Sequence, residues 1–161
     1  MPPITAMLHT ENDALRLGRA LETLLPCAEV LIVDHHSTDG TLRRARQYGA
    51  TILPAEGSAS SEHYLDRAGC EWIFCLDPSE SITESLQASL FEWSLLPVPT
   101  PVNAVAFSVL VREQTRGTWH RHLAPQTRLV PRHWTSWNGR LPAHHASCPA
   151  LEGDLLRIAS P

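Results

Sequence analysis

Residues Glu29 to Thr41 read EVLIVDHHSTDGT, and this stretch decides the fold. Val30, Leu31, Ile32 and Val33 form a continuous apolar run, as in a strand covered on both faces within a parallel sheet. Asp34 ends that run. A carboxylate there stands at the carboxyl end of a buried strand, the edge along which open α/β sheets bind ligands. Ser37, Thr38, Asp39 and Gly40 are turn and cap residues, and the following LRRARQYGA reads as a helix capped at Gly49. Strand, carboxylate, polar turn and helix make the layout of a nucleotide site. The same residues also suit an ordinary capped strand-to-helix turn.

The chain on either side repeats the pattern. Ile4 to Leu8 is an apolar strand, and Leu17, Ala20, Leu21 and Leu24 mark one face of an amphipathic helix stopped by Pro26. Ala50 to Leu53 predicts a third strand, followed by a polar connection from Glu56 to Ser61 and a helix from Glu62 to Ala68. Glu71 to Leu76 predicts a fourth strand, again closed by a carboxylate, Asp77. Ser81 with Glu84 three residues later has the form of a capping box, opening a helix whose apolar face includes Leu86, Leu90 and Trp93. Four strand–helix alternations before Leu96 predict an α/β fold with a mostly parallel sheet flanked by helices. Pro97-Val98-Pro99-Thr100-Pro101 predicts a stiff linker. Beyond it, Ala104 to Arg112 predicts a strand, and the remainder, rich in Trp, His, Arg and Pro, predicts a loop-rich C-terminal extension of the same domain.

With 161 residues, 43% hydrophobic and 19% charged, the chain is long and apolar enough for one globular domain with a real core. A net charge of -4 gives no electrostatic pull toward nucleic acid. No apolar run reaches the roughly 18 residues of a membrane span, and the N-terminus lacks the basic and apolar regions of a signal peptide. The expectation is a cytoplasmic protein without a transmembrane segment, open to peripheral contact at the inner face of the membrane. Cys27, Cys70, Cys75 and Cys148 are scattered without a C-x-x-C pair and read as reduced thiols.

The Asp34 loop resembles a family motif. Family 2 glycosyltransferases, which have the GT-A fold, carry a strand followed by Asp-Asp-x-Ser-x-Asp-Gly-Thr. Here it stands as Asp34-His35-His36-Ser37-Thr38-Asp39-Gly40-Thr41, with His35 in place of the second Asp. The resemblance continues in order along the chain. His9 to Asp13 with Leu17 to Leu24 is similar to the family's opening loop and helix, and Tyr48-Gly49-Ala50 to the step into the third strand. Glu71 to Asp77 is similar to the strand entering the Asp-x-Asp metal motif. Arg112 to Trp119, Arg128-Leu129-Val130 and Leu151 to Leu156 resemble the second half of a bacterial subgroup that includes lipopolysaccharide-core glucosyltransferases.

The resemblance implies a GT-A-like domain over residues 1–161, with a nucleotide-binding half at 1–96 and a shortened acceptor-side half at 102–161. It implies inverting transfer of a hexose from a UDP-sugar donor to a hydroxyl of a glycan or lipid-linked acceptor in cell-envelope synthesis. Asp34 would contact the base or ribose, with Thr10 and Glu11 nearby, Asp39 supporting the loop and Asp77 completing the nucleotide site. A divalent metal, Mg²⁺ or Mn²⁺, would be held at Asp77, Ser79 and Glu80. The family's Asp-x-Asp-Glu stands here as Asp77-Pro78-Ser79-Glu80, and a hydroxyl is a poor ligand beside a carboxylate. The subgroup's late His-Glu pair falls on His144 and His145, the candidate catalytic bases, since imidazole titrates near neutral pH.

Two further readings remain open from residues alone. Ser79, His35 and the shortened C-terminus also fit an inactive nucleotide-sugar-binding or scaffolding module. His120, His122, His144 and His145 would suit a histidine-based metal enzyme. Trp119, Trp134 and Trp137 suit sugar stacking or core filling. Arg112, Arg116, Arg121 and Arg128 suit an anion pocket or a solvated face.

Overall fold

A computed structural model of the protein describes residues 3–96, 105–121 and 124–158. The proline-rich linker at Pro97 to Pro101 and His122 lie outside the described residues, as does the side chain of Arg121. The first half alternates as predicted: β1 (Ile4–Thr10), α1 (Ala14–Glu22), β2 (Glu29–Asp34), α2 (Thr41–Gln47), β3 (Thr51–Pro54), a 3₁₀ helix (Ser61–Arg67), β4 (Trp72–Cys75), β5 (Glu80–Ile82) and α3 (Glu84–Leu95). The second half is β6 (Phe107–Thr115), β7 (Thr118–Arg121), β8 (Gln126–Pro131), β9 (Trp137–Asn138), β10 (Leu141–Pro142) and β11 (Ala150–Ile158).

The main sheet runs in the order β3-β2-β1-β4-β8-β6-β11-β5, with β7 paired to β6; β9 and β10 form a separate hairpin. β3, β2, β1 and β4 are mutually parallel. β8 is inserted antiparallel between β4 and β6, and β6 and β11 are parallel again. Parallel strands buried on both faces explain the unbroken apolar run of β2.

All seven residues of β1 are buried. Their side chains alternate between two cores, because successive strand residues face opposite ways. Ile4, Ala6 and Leu8 join Leu17, Ala20 and Leu21 of α1 and Trp93 of α3 on one face. Met7 joins Ile73, Val130, Tyr64 and Leu65 on the other. The apolar stripe read from Leu17, Ala20 and Leu21 is the buried face of α1. Aromatic rings of Trp72, Trp93 and Phe107 meet edge-on or tilted where α3 crosses the sheet.

The structure corrects four local expectations. β1 continues through His9 and Thr10, which are buried polar residues rather than the start of a loop. Helix α3 is capped by Thr83, whose Oγ1 accepts the Leu86 N–H at 3.2 Å, while Ser81 lies in β5 opposite Leu156. Pairing with β11, a partner 75 residues away by number (156 minus 81), overrides the local capping box. The segment from Glu62 is a 3₁₀ helix from Ser61 to Arg67. The region after residue 104 is built on strands rather than loops: β6 and β11 have nine residues each and β8 has six. Their hydrogen bonds are to strands distant in sequence, so no local pattern announces them.

Candidate active site

The carboxyl edge of the parallel strands gathers the sequence-predicted residues. Thr10 of β1 is in register with Asp34 of β2, and Met7 of β1 with Cys75 of β4. Asp77, two residues beyond Cys75, therefore comes level with His9, and β1 lies between the two aspartates. Two inter-strand spacings put their backbone positions on the order of 10 Å apart. That is a span suited to a nucleotide lying across the edge.

Asp34 is buried and held from three sides. Its Oδ1 accepts Thr10 Oγ1 at 2.7 Å and Ser37 Oγ at 2.6 Å, and its Oδ2 accepts the Ser37 N–H at 2.9 Å. Among the described residues Oδ2 accepts only the Ser37 N–H, so one acceptor position on it is open, since a carboxylate can accept about four hydrogen bonds. Thr10 is itself fully buried, so it positions Asp34 and offers nothing to a ligand directly. Glu11 is exposed at the rim, its N–H bound to Asp13. Asn12, with φ of 53°, turns its side-chain oxygen onto the N–H groups of Thr38 and Asp39 at 2.8 and 3.3 Å. Asp39 bridges two helix starts: it accepts the N–H and hydroxyl of Thr41 and the N–H of Ala14. Those bonds, chiefly the Thr41 hydroxyl, hold its carboxyl below the usual range.

At the Asp77 turn, Ser79 donates its hydroxyl at 2.6 Å and its N–H at 2.9 Å to Asp77 Oδ1. Glu80 turns inward instead. Its Oε1 accepts the Asp77 N–H at 2.8 Å and Arg128 Nη1 at 2.7 Å, and its Oε2 accepts Arg128 Nη2 at 2.8 Å and Arg157 Nη2 at 2.9 Å. Glu80 thus organises the turn from below. Burial, the largest single influence, would raise its carboxyl, but the Arg128 guanidinium, the Asp77 N–H and Arg157 together outweigh it, and the net shift is downward. Among the described residues no three His, Cys, Asp or Glu side chains are grouped so as to hold a metal ion. The donors at Asp77, Ser79 and Glu80 do not fit the carboxylate set that the sequence resemblance implies: one oxygen, Asp77 Oδ2, remains uncommitted.

A cleft of about 490 Å³ opens beside Asp77, lined also by Gln126, Asn138, Arg140, Leu141 and His144. His144 faces this space. His145 points elsewhere, its Nδ1 bound to Ser147 Oγ at 2.8 Å and its ring against Trp134. His120 is paired with Glu113 across β6 and β7, away from both. Trp134 and Trp137 pack against the second core, and Trp119 lies under the Arg112 guanidinium at 5.7 Å. Of the predicted anion-pocket arginines, Arg128 is fully buried and Arg112 pairs with Asp154 at 2.8 Å.

Sequence reading missed three residues of this site: His9, Ser61 and Arg140. His9 Nδ1 lies 2.9 Å from His35 Nε2, and His9 Nε2 lies 2.8 Å from Ser61 Oγ, which donates to the Arg140 carbonyl at 2.8 Å. That last bond uses the only Ser61 hydroxyl proton, so His9 Nε2 must be the donor to Ser61 and His9 Nδ1 the acceptor from His35. Burial, then His35 and Arg140, lower the His9 pKa to about 3. His35 is lowered as well, by burial first and Arg140 next. The period-two register with Met7 was the available signal for His9. Nothing local pointed to Ser61 or Arg140.

The His9 shift carries an acid-stability prediction. Folded His9 stays neutral down to about pH 3, whereas the unfolded residue takes up a proton near its ordinary value of 6.5. The unfolded state binds more protons in between, so stability falls as pH drops through that window. By pH 5 the His9 part of the loss is about 1–2 kcal/mol. Urea unfolding of the wild type and His9→Gln at pH 7.5 and pH 5 checks this: the variant should show a smaller acid loss, and an equal loss would refute it.

Burial pushes the thiols of Cys27 and Cys75 up to about 12, and all four cysteines are free, which is the state of reduced structural thiols.

No family model matches the chain. It is 33% identical over 98 residues to the lipopolysaccharide core biosynthesis glycosyltransferase LpsC of Rhizobium meliloti, covering 56% of this chain and 36% of that protein. An uncharacterized glycosyltransferase of Rickettsia felis is 32% identical over 91 residues, covering 54% of this chain and 32% of the relative. The chain thus spans about a third of the length of these curated relatives. Among solved structures, glucosyl-3-phosphoglycerate synthase of Mycobacterium tuberculosis, in complex with Mn²⁺, UDP and glucosyl-3-phosphoglycerate, matches with a TM-score of 0.53 at 16% identity, over 69% of this chain and 44% of that one. S. aureus TarS 1-349 matches with a TM-score of 0.54 at 18% identity, over 72% and 38%. The sheet and its crossovers are those of the GT-A fold, and in sequence the chain is similar to bacterial glycosyltransferases.

Proposed function

We propose that this GT-A chain is the donor-binding part of a glycosyltransferase of cell-envelope glycan synthesis, acting on a UDP-hexose and a hydroxyl acceptor with inversion. The observation that carries the reading is the pair Asp34 and Asp77, set on one carboxyl edge with β1 between them. Relatives named as glycosyltransferases, one of them in lipopolysaccharide core biosynthesis, support it and do not favour the inactive-module reading. The acceptor is a glycan or lipid-linked sugar. No helix among the described residues is long and apolar enough to cross a membrane.

In this reading the free position on Asp34 Oδ2 accepts a hydrogen bond from the base or ribose, while Asp39 and Asn12 keep the loop in shape. The sugar lies in the cleft beside Asp77. His144 accepts the proton of the acceptor hydroxyl as that oxygen bonds to the anomeric carbon, and the bond from that carbon to the diphosphate breaks, releasing UDP. Because the Asp77 turn does not offer the expected metal ligands, no step is assigned to a metal.

Calorimetric titration with UDP and UDP-glucose tests the reading. The wild type should bind in the micromolar range, and Asp34→Ala should weaken binding at least tenfold, equivalent to about 1.4 kcal/mol. Absence of binding to either compound, or an unchanged affinity in Asp34→Ala, would refute it.

A further inference from the structure

The Asp77 turn and the cleft facing it are mismatched in charge. On one side Ser79 occupies Asp77 Oδ1 with two hydrogen bonds, and Glu80 is locked between Arg128 and Arg157. A divalent ion seeks about six oxygen ligands at short range. This turn can give it one carboxylate oxygen. A departing diphosphate would still need positive charge beside it, because charge developing on a leaving group must be met by fixed donors.

The lining of the cleft holds such a charge. Arg140 lies in the turn of the β9–β10 hairpin, and that turn is tied down at two points. Ser61 donates its N–H to the Gly139 carbonyl at 3.1 Å and its hydroxyl to the Arg140 carbonyl at 2.8 Å. Ser61 is fully buried and is itself held by His9. The backbone of residue 140 is therefore anchored to the carboxyl end of β1, between the Asp34 loop and the Asp77 turn. The guanidinium is exposed and lines the cleft with Asp77 and His144, and it makes no hydrogen bond or ion pair among the described residues. Its charge reaches His9 and His35, both imidazoles. Where the family motif has a carboxylate at the position of His35, this chain has a neutral ring, so Arg140 keeps its charge available.

We propose that Arg140 is the diphosphate-binding cation of this site, and that it takes the place of a carboxylate-held divalent ion in neutralising the nucleotide's phosphates. The guanidinium presents paired N–H donors that match two phosphate oxygens, and its charge does not depend on pH near neutrality. Ser79, His35 and Arg140 then form one coordinated set: the first weakens the metal site, the second spares the arginine a counter-charge, and the third replaces the missing cation.

This inference rests on the donor-binding reading above, and the test separates the two. Uridine, UMP and UDP are titrated into the wild type, Arg140→Ala and Arg140→Lys, each in Mn²⁺ and in EDTA, with thermal melts as a fold control. The expected result is that wild-type affinity for UDP changes less than threefold between Mn²⁺ and EDTA. Arg140→Ala should lose at least tenfold for UDP and less than twofold for uridine, and Arg140→Lys should fall between. UDP binding by Arg140→Ala equal to wild type would overturn the inference while leaving the donor site standing. An equal loss for uridine and UDP would also overturn it, since that marks damage to the hairpin rather than a lost phosphate contact. If the wild type binds neither uridine nor UDP, the donor-binding reading itself falls and takes this inference with it.

Discussion

Arg128→Ala is expected to lower stability by about 3–5 kcal/mol, the cost of leaving a buried charge without its partner. Arg128 and Glu80 are both fully buried and joined by two parallel hydrogen bonds of 2.7 and 2.8 Å. The guanidinium also donates to the Cys75 carbonyl at 3.1 Å and to Gln126 Oε1 at 2.8 Å. It therefore clamps the end of β4, the Asp77 turn and the start of β8. Without it, Glu80 keeps the Asp77 N–H and, as counter-charge among the described residues, only Arg157, which is partly exposed. For a chain of this size each kcal/mol moves the midpoint by about 2–4 °C, so a drop of roughly 10 °C is expected. A fall of under about 1 kcal/mol would refute the assignment.

The same pair sets the acid limb of stability. With Arg128 present, the folded Glu80 carboxyl titrates below its ordinary value of 4.5. Its contribution is complete above pH 4.5 and is lost as pH falls through the lower folded value. Removing Arg128 removes the main cause of that depression. The variant should be less stable at pH 7 and lose less on acidification below pH 4.5, and pH-dependent urea melts would detect this. Because the Asp77 N–H ends on Glu80 Oε1, UDP affinity should also fall in Arg128→Ala as the turn loosens.

Gly153→Ala is the second large effect, with an expected loss of about 3 kcal/mol or more, large enough to reduce soluble yield. Gly153 has φ of 99° and lies where the register of β11 against β6 shifts between Ala150 and Asp154. A Cβ there would stand 2.3 Å from the Leu86 nitrogen and 2.6 Å from its Cα. Both are backbone atoms in the first turn of α3, so neither can move without displacing the helix. Gly117→Ala is the control. Gly117 also has positive φ, 80°, but nothing lies within 4 Å of its Cβ position. It should cost only about 1–2 kcal/mol for the left-handed backbone. Equal thermal midpoints for the two variants would show that the close approach of β11 to α3 carries no weight.

The Asp34 loop was legible because strand, cap and turn signals are local. Apolar β2 cannot be solvated, Asp34 needs hydrogen-bond partners at its end, and the turn residues that follow have few other uses. The resemblance of that loop to a glycosyltransferase motif then pointed to the GT-A fold, and the sequence and structural matches agree with it. The Asp77 turn was legible only in part. Its residues could be named, but not that Ser79 would close on Asp77 or that Glu80 would turn inward. Glu80 reads as a surface carboxylate until Arg128, 48 residues on, is folded over it.

What the sequence by itself determined is the set of elements announced by local apolar runs, helical spacing and turn residues: β1, α1, β2, α2 and β3, with Asp34 at their edge. Only the tertiary structure decided the roles of Glu80, Arg128, His9, Ser61 and Arg140. Each of these is a polar or charged group whose partner comes from a distant strand or turn. A charged side chain has no preferred place until its counter-charge and its exposure are known, and both are properties of the folded sheet.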